Sequence, residues 1–230
     1  MRPPRPGPEN PPRRASKAVV ARLSLYLRQL EWCQRQNQAT ISSSTLAKLL
    51  NLSDAQVRKD LASFGHFGTP GIGYPTADLI GEIRRILGID RPWLVALIGF
   101  GNLGQALSRH QGFLAGDFQI VALFDNDPRK LGSREQGLVI QPLDQLASTR
   151  ADRSIELAIL CVPAESAQDV AHAVVAAGFH GILNFAPTAL NVEGIQVVDV
   201  DLTTYLEQLT YKVQRPRASA QASTDPQTDS

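Results

Sequence analysis

Residues 93–104 read Trp93-Leu94-Val95-Ala96-Leu97-Ile98-Gly99-Phe100-Gly101-Asn102-Leu103-Gly104, an apolar run that enters a G-x-G-x-x-G turn without a break. An uninterrupted apolar strand is what a parallel sheet covered on both faces requires. Asp125 stands 21 residues beyond Gly104, at the end of a second apolar run from Phe118 to Phe124. Strand, glycine turn, helix, second strand and acid form the order of a dinucleotide-binding unit. In that order Gly99 permits the tight turn, and Gly101 lets backbone N–H groups approach a pyrophosphate. Gly104 lets the helix pack close to the strand. Phe100, Asn102 and Leu103 complete the loop, where the start of the helix favours an anion. Asp125 is the expected acceptor for ribose hydroxyls and would repel a 2′-phosphate, which favours NAD(H) over NADP(H). Arg129 and Lys130 follow Pro128 and are expected to be solvated.

Outward from this unit the alternation continues. Strands are expected over 93–99, 118–125, 138–141, 155–162, 181–186 and 195–200, with helices over 102–111 and 165–177 and a short one behind 138–141. This predicts a mostly parallel sheet. Ligands in such sheets bind at the carboxyl ends of strands. Two further strand ends, Cys161-Val162-Pro163 and Asn184-Phe185-Ala186-Pro187, are therefore expected at the pocket. Asn184 and Phe185 either bracket a nicotinamide ring or form a corner fixed by Pro187. Cys161 reads as a small buried hydrophobe rather than a thiol sensor. A last helix, Leu202 to about Val213, carries Leu202, Leu206, Leu209 and Val213 on one stripe. Either a partner subunit or its own sheet must cover that stripe.

The first ninety residues have another character. They hold 13 Lys and Arg against 7 Asp and Glu, a balance of +6, while residues 91–230 hold 10 against 15, or −5, which together give the +1 of the chain. A basic front half suits a polyanion. Residues 1–15, with six prolines and four arginines, are expected to be a disordered tail, and so are residues 214–230. Val20, Leu23, Leu27 and Leu30 mark a helix over 16–37. A second helix is expected over Ser43–Leu50 and a third from Ser53 to about Ser63, opened by a Ser53/Gln56 capping box. Phe64 to Tyr74, rich in glycine, is expected to fold as a β-hairpin, and Thr76–Leu87 as a helix closed by Gly88. Three helices and a hairpin make a winged helix-turn-helix. Its third helix presents Gln56, Arg58 and Lys59, residue types that read base edges or grip phosphates. Ser42 and Ser43 offer hydroxyls to a phosphate.

Composition sets the remaining bounds. The 43% hydrophobic content suits packed globular domains, and two cysteines make no disulfide framework. The Arg- and Pro-rich start has no apolar core of a signal peptide, and no stretch is long enough to span a membrane. A cytoplasmic protein is expected. No metal site and no catalytic constellation emerge: His66, His110, His172 and His180 have no partner arrangement, and no substrate domain follows the nucleotide fold.

Taken together, the residues resemble the Rex family of redox-sensing transcriptional repressors, over about residues 16 to 213. The likeness is carried by Arg22-Leu23 with Tyr26, by Ser42-Ser43 with Leu46-Ala47, by Gln56-Val57-Arg58-Lys59-Asp60-Leu61, and by Phe64-Gly65, Phe67-Gly68 and Gly71 with Gly73-Tyr74. It continues through Gly99–Gly104, Phe124-Asp125, Val162-Pro163, Ala167-Gln168, Gly181–Pro187 and Asp201-Leu202.

The resemblance implies an α/β architecture: an N-terminal winged helix-turn-helix over 16–90, a Rossmann-like domain over 91–201, and a C-terminal helix over 202–213 swapped between two subunits. It implies a homodimer on double-stranded operator DNA, released when NADH rises, with NAD(H) as a regulatory ligand rather than a catalytic one. Ser42, Ser43, Gln56, Arg58, Lys59, Ser63, Phe64, Gly65, His66 and Gly68 would face DNA. The nucleotide would lie on Gly99, Phe100, Gly101, Asn102, Leu103, Gly104, Asp125, Val162, Pro163, Asn184 and Phe185. His110, Asp201, Leu202, Leu206 and Leu209 would serve the dimer and its switch. The chain departs from the family at His110, where many members have Tyr, and at Pro70, where Lys or Arg is common. A small NAD-dependent dehydrogenase and a regulator of another nucleotide, such as CoA or an adenylate, are the rival readings.

Overall fold

A computed structural model describes residues 16–65, 67–68, 72–114 and 116–221. The expected tail over 1–15, together with His66 and Pro70, lies outside the described residues. The chain forms two compact units that divide between Trp93 and Leu94. The Trp93 indole N–H donates to Gly88 O at 2.8 Å.

The first unit is built on α1 (Lys17–Arg35), α2 (Ser43–Leu49), α3 (Asp54–Ala62) and α4 (Thr76–Leu87). Along α1, Leu23, Tyr26, Leu27, Leu30 and Cys33 are buried at the three-and-four spacing of an amphipathic helix. Val20, expected on that stripe, is exposed instead. Leu46, Val57, Leu61, Leu79 and Ile83 from the other helices close one apolar core with them. Ser16, Ser42 and Ser53 cap the starts of α1, α2 and α3, each accepting a backbone N–H in the first turn. Gly88 ends α4 at φ +69°, as its position after the last turn predicts.

Two local expectations are met only in part. Of Phe64–Tyr74, expected to fold as a hairpin, residues 66 and 69–71 lie outside the described residues; Gly68 lies against Gly73 and Tyr74, and the strand Tyr74–Pro75 also pairs antiparallel with Thr40–Ile41 ahead of α2. The reason is local: Gly73 has φ +97°, and a Cβ there would meet Ile41 O at 2.6 Å, so only glycine lets the two backbones meet. The Ser53/Gln56 capping box forms only in part. Ser53 Oγ accepts from Gln56 N, but the Gln56 side chain turns away to Asp60, a stronger, charged acceptor.

The second unit is a seven-stranded sheet. Number β3 as Trp93–Ile98, β4 as Phe118–Phe124, β5 as Arg134–Glu135, β6 as Leu138–Gln141, β7 as Leu157–Leu160, β8 as Gly181–Asn184 and β9 as Gln196–Asp199, with β1 and β2 the short pair above. The order is then β5-β6-β4-β3-β7-β8-β9. Pairs β3–β7, β4–β6, β7–β8 and β8–β9 are parallel, and the short β5, not anticipated from sequence, is antiparallel to β6. The chain starts at β3, moves to β4 and β6 on one side, then crosses to β7 on the other. Such a reversal opens a crevice at the carboxyl ends of the strands.

The helix expected over 102–111 is broken into α5 (Asn102–Ser108) and α6 (Gln111–Leu114). The His110 ring nitrogen Nδ1 accepts from Gly112 N, a side-chain turn that competes with the helical ladder. After α7 (Leu146–Arg153) and α8 (Ala164–Ala176), the chain ends in α9 (Leu202–Gln221), beyond the expected end at Val213. Residues 214–221 are therefore helical rather than structureless.

Candidate nucleotide pocket and nucleic-acid interface

The three glycines of the turn have three different surroundings. Gly99 has φ +92°, and an added Cβ would lie 2.4 Å from Cys161 O. At Gly104 it would lie 2.1 Å from Gly99 O, so α5 sits against the end of β3 only because no side chain intervenes. Around Gly101 nothing lies within 4 Å of that position. The first and third glycines are thus required by the fold, and the second borders open space. Gly101 also caps α5 with no side-chain hydrogen bond, leaving first-turn N–H groups to the cavity side of the loop.

That space is a cavity of about 510 Å³, within the range of small-molecule sites. Gly99, Gly101, Asn102, Leu103, Asp125, Val162, Pro163 and Phe185 line it, as does Lys130. The backbone brings these strand ends together: Gly99 N donates to Phe124 O, Asp125 N to Gln141 O, Cys161 N to Ile98 O and Phe185 N to Leu160 O. Leu143, Val162, Val170 and Phe185 make one part of the lining apolar.

Asp125 is the anion of the cavity. Its Oδ2 accepts from Phe100 N at 2.7 Å and from Lys130 Nζ at 2.8 Å, and its Oδ1 from Asp127 N at 2.8 Å. Burial alone would raise its pKa. The bonds from Lys130, Asp127 and Phe100 outweigh that and hold it below the usual carboxylate range. Three of roughly four acceptor positions are filled, which leaves one on Oδ1 for a ligand hydroxyl. Lys130, expected to be solvated, is instead paired with Asp125; Arg129, ion-paired with Asp127, is 88% exposed as expected.

Other residues are placed differently from one another. Phe100 is 2% exposed and packs in the sheet core, so only its backbone N–H faces Asp125. Asn184 is 1% exposed, its amide donating to Thr188 O and Asp199 Oδ1 while its carbonyl accepts from Ala186 N. It builds the corner that carries Phe185 to the cavity. Cys161 lies on the lining, and burial pushes its thiol up to about 12, so the thiolate needed for redox chemistry is disfavoured.

In the first unit, Arg58 and Lys59 are exposed on α3, with Arg58 bound to Asp54 at 2.6 Å. Ser42 Oγ is shared among Thr45 N, Ser44 and Thr45 hydroxyls at the start of α2. Ser63 closes α3 by donating to Asp60 O, Phe64 packs on the core, and Gly65 and Gly68 follow. The sequence reading missed the centre of this unit. Asp60 is 3% exposed and accepts from Arg22 Nε at 2.5 Å, Arg22 Nη2 at 2.8 Å, Tyr26 Oη at 2.8 Å and Gln56 Nε2 at 2.7 Å. An acid three residues beyond inward-facing Val57 was the available signal.

Asp201 caps α9 through Thr203 N and Thr204. Leu202, Leu206 and Leu209 are 64%, 62% and 55% exposed, so the sheet does not cover the stripe. His110 is exposed, its ring 5.9 Å from that of Phe113.

A family model described as "CoA binding domain" matches residues 90–188, and one described as "Putative DNA-binding protein N-terminus" matches residues 14–62. The redox-sensing transcriptional repressor Rex of Carboxydothermus hydrogenoformans is 44% identical over 200 residues, covering 86% of this chain and 96% of its own. That of Desulfitobacterium hafniense is 43% identical over 203 residues, covering 88% and 97%. The chain belongs to the Rex family of redox-sensing transcriptional repressors. The crystal structure of the Rex-family repressor RSP in complex with beta-NAD+ and operator DNA superposes at a TM-score of 0.83, with 31% identity over 92% of this chain and 98% of that one. RSP in complex with beta-NADH gives 0.82 and 30%, covering 91% of this chain and 99% of that one. Rex membership makes the chain a DNA-binding transcriptional regulator and not an enzyme. Among the described residues, no helix is long and apolar enough to cross a membrane, and no cluster of three His, Cys, Asp or Glu is placed to hold a metal.

Proposed function

We propose that the chain binds NAD(H) in the cavity at the ends of β3, β4, β7 and β8, and that NADH releases its N-terminal unit from operator DNA in the cytoplasm. The observation that carries this is the open space at Gly101 beside an ionised, incompletely filled Asp125. Pyrophosphate lies on the N–H groups after Gly99, and a ribose hydroxyl donates to Asp125 Oδ1. The nicotinamide reaches the apolar lining at Val162 and Phe185, with Pro163 and Asn184 setting those corners. A neutral dihydronicotinamide is favoured there over a cation, because burying an unpaired charge is costly. Moving the DNA-bound fraction from 99:1 to 1:99 requires about 5.5 kcal/mol of differential affinity. The DNA face comprises Ser42, Ser43, Gln56, Arg58, Lys59 and the segment from Ser63 to Gly68. The RSP structures, one with beta-NAD+ and operator DNA and one with beta-NADH, support this direction. CoA is the rival named by the family model; its 3′-phosphate would meet the carboxylate side of the same cavity.

Fluorescence anisotropy of labelled duplexes, taken from a randomised pool, tests the reading. NADH should release bound DNA at concentrations where NAD+ and CoA do little. Equal binding of NADH and NAD+ by calorimetry would sink it.

The active form is a homodimer joined through α9. Leu202, Tyr205, Leu206, Leu209 and Val213 are all more than half exposed, a concentration of apolar surface unusual for a soluble monomer. Leu206→Glu should weaken self-association at least tenfold, since burial of one leucine is worth ~1.5–3 kcal/mol. Sedimentation velocity reads this directly, and a wild-type chain that sediments as a monomer at tens of micromolar would refute it.

A further inference from the structure

The hydrogen bond between Gln56 and Asp60 has a consequence for base recognition. A Gln side chain carries a donor end and an acceptor end, and either can lead when it turns freely. Here it does not turn freely. Asp60, ionised and fixed by two bonds from Arg22 and one from Tyr26, accepts only, so the end of Gln56 facing it at 2.7 Å must be the NH2. The helical spacing of four residues holds both side chains on one face of α3. Gln56 Oε1 has no hydrogen-bond partner among the described residues, and the side chain is only half-buried. Its neighbours differ: Arg58 is tied to Asp54 by a solvent-exposed pair worth little, so it can swing to DNA without orientation being set in advance.

We infer that Asp60 is a specificity-positioning residue: by holding the amide of Gln56, it commits α3 to lead with an acceptor at one base pair of each half-site. In the major groove the exocyclic amino groups of adenine and cytosine are donors, whereas guanine O6 and thymine O4 are acceptors. Gln56 therefore selects an amino base over a keto base at the edge it meets. This rests on α3 being the DNA-reading helix, as proposed above.

The test is a set of duplexes carrying every single-base-pair change in a site selected by the wild-type chain, measured against wild type and four variants. Gln56→Ala should flatten the preference at one position per half-site and leave the others. At that position wild type should favour an amino base by roughly five- to tenfold, the worth of about one net hydrogen bond. Asp60→Asn should move the preference toward keto bases. Its carbonyl keeps the Oδ2 position, bonded by Arg22 Nε and Tyr26, while its NH2 takes the Oδ1 position, gives up the Arg22 Nη2 bond and faces Gln56, which turns that amide over. Gln56→Glu, which can only accept, should keep the amino preference while binding all sites more weakly, and it holds the test if Asp60→Asn does not fold. Tyr26→Phe, which weakens the same network without reversing the amide, should leave the preference in place. A loss of packing alone would lower affinity evenly across the set and would not exchange amino for keto. A keto preference in wild type, or its absence at any position sensitive to Gln56→Ala, overturns the inference while leaving α3 on DNA. A wild-type chain that selects no site from the pool overturns both.

Discussion

Gly104→Ala should abolish the folded C-terminal unit, whereas Gly101→Ala should leave it folded and unable to hold nucleotide. The two glycines stand three residues apart in the same turn, yet their surroundings oppose each other. At Gly104 a Cβ would lie 2.1 Å from Gly99 O, a backbone atom that cannot step aside without moving β3, where Gly99 N is bonded to Phe124 O. Overpacking typically costs ~1–3 kcal/mol, and a fixed backbone clash lies above that range. A loss of this size is a large part of the ~5–15 kcal/mol that holds a domain together. At Gly101 the same methyl enters open space, so thermal melting should be unchanged to within a degree or two. It projects where backbone and pyrophosphate must approach, and affinity for NADH should fall at least a hundredfold by calorimetry. Equal loss of nucleotide and of melting temperature in both variants would show that Gly101 is structural and that the cavity is not the binding site.

Asp60→Ala should be the most damaging single change in the N-terminal unit. It removes the acceptor of four hydrogen bonds and leaves the Arg22 cation and the buried Tyr26 hydroxyl without it. Breaking a buried pair costs ~3–5 kcal/mol. The lower figure applies here, because the Arg22 side chain is 24% exposed and water can reach it. Denaturant titration of the full chain by circular dichroism should show the helical N-terminal unit melting early while NADH binding persists. Tyr26→Phe, which leaves Asp60 three of its bonds, should cost ~1 kcal/mol.

The same site fixes a pH response. Burial alone would raise the pKa of Asp60, but the bonds from Arg22, Tyr26 and Gln56 outweigh it and set the folded value below the ordinary one. A carboxylate depressed on folding stabilises above its unfolded pKa, near 4, and that contribution is lost as pH falls through the lower, folded value. Stability of this unit should therefore be flat at neutral pH and fall in acid. Asp60→Ala should remove that part of the acid dependence.

Much of this was legible in the sequence because the relevant physics is local. The unbroken apolar run into Gly99 implies a buried strand, and the spacing to Asp125 the first βαβ unit, so the turn at Gly99 and the close packing at Gly104 follow from sequence alone. Helix starts at Ser42 and Ser53 were equally readable, since a cap needs only its own first turn. What escaped depends on distant partners. Lys130 lies past a proline turn, and nothing in its neighbours says that the turn folds back onto Asp125. Tyr74 ends the expected hairpin, but its strand partner, Ile41, is 33 residues earlier, and nothing local to Tyr74 points to it. Asn184 read equally as ligand or corner until its amide was seen filled by Thr188, Asp199 and Ala186. Asp60 sits among Arg58 and Lys59 in the sequence, where charge patterning suggests a solvated face, and only Arg22 on another helix explains its burial.

The pairing of Lys130 with Asp125 has a bearing on osmotic stress. Lys130 is the one cation lining the described cavity, and it is already matched by a carboxylate, so a nucleotide bound there, as proposed, would be held by backbone dipoles and apolar contact. Its affinity should hardly respond to ionic strength. DNA binding through Arg58 and Lys59, as proposed, should release counterions and fall steeply with salt. When a cell concentrates its ions, the ligand arm keeps reporting the same NADH level while the DNA arm loosens. The threshold at which a gene is freed thus drifts toward lower NADH, although the sensor itself has not changed.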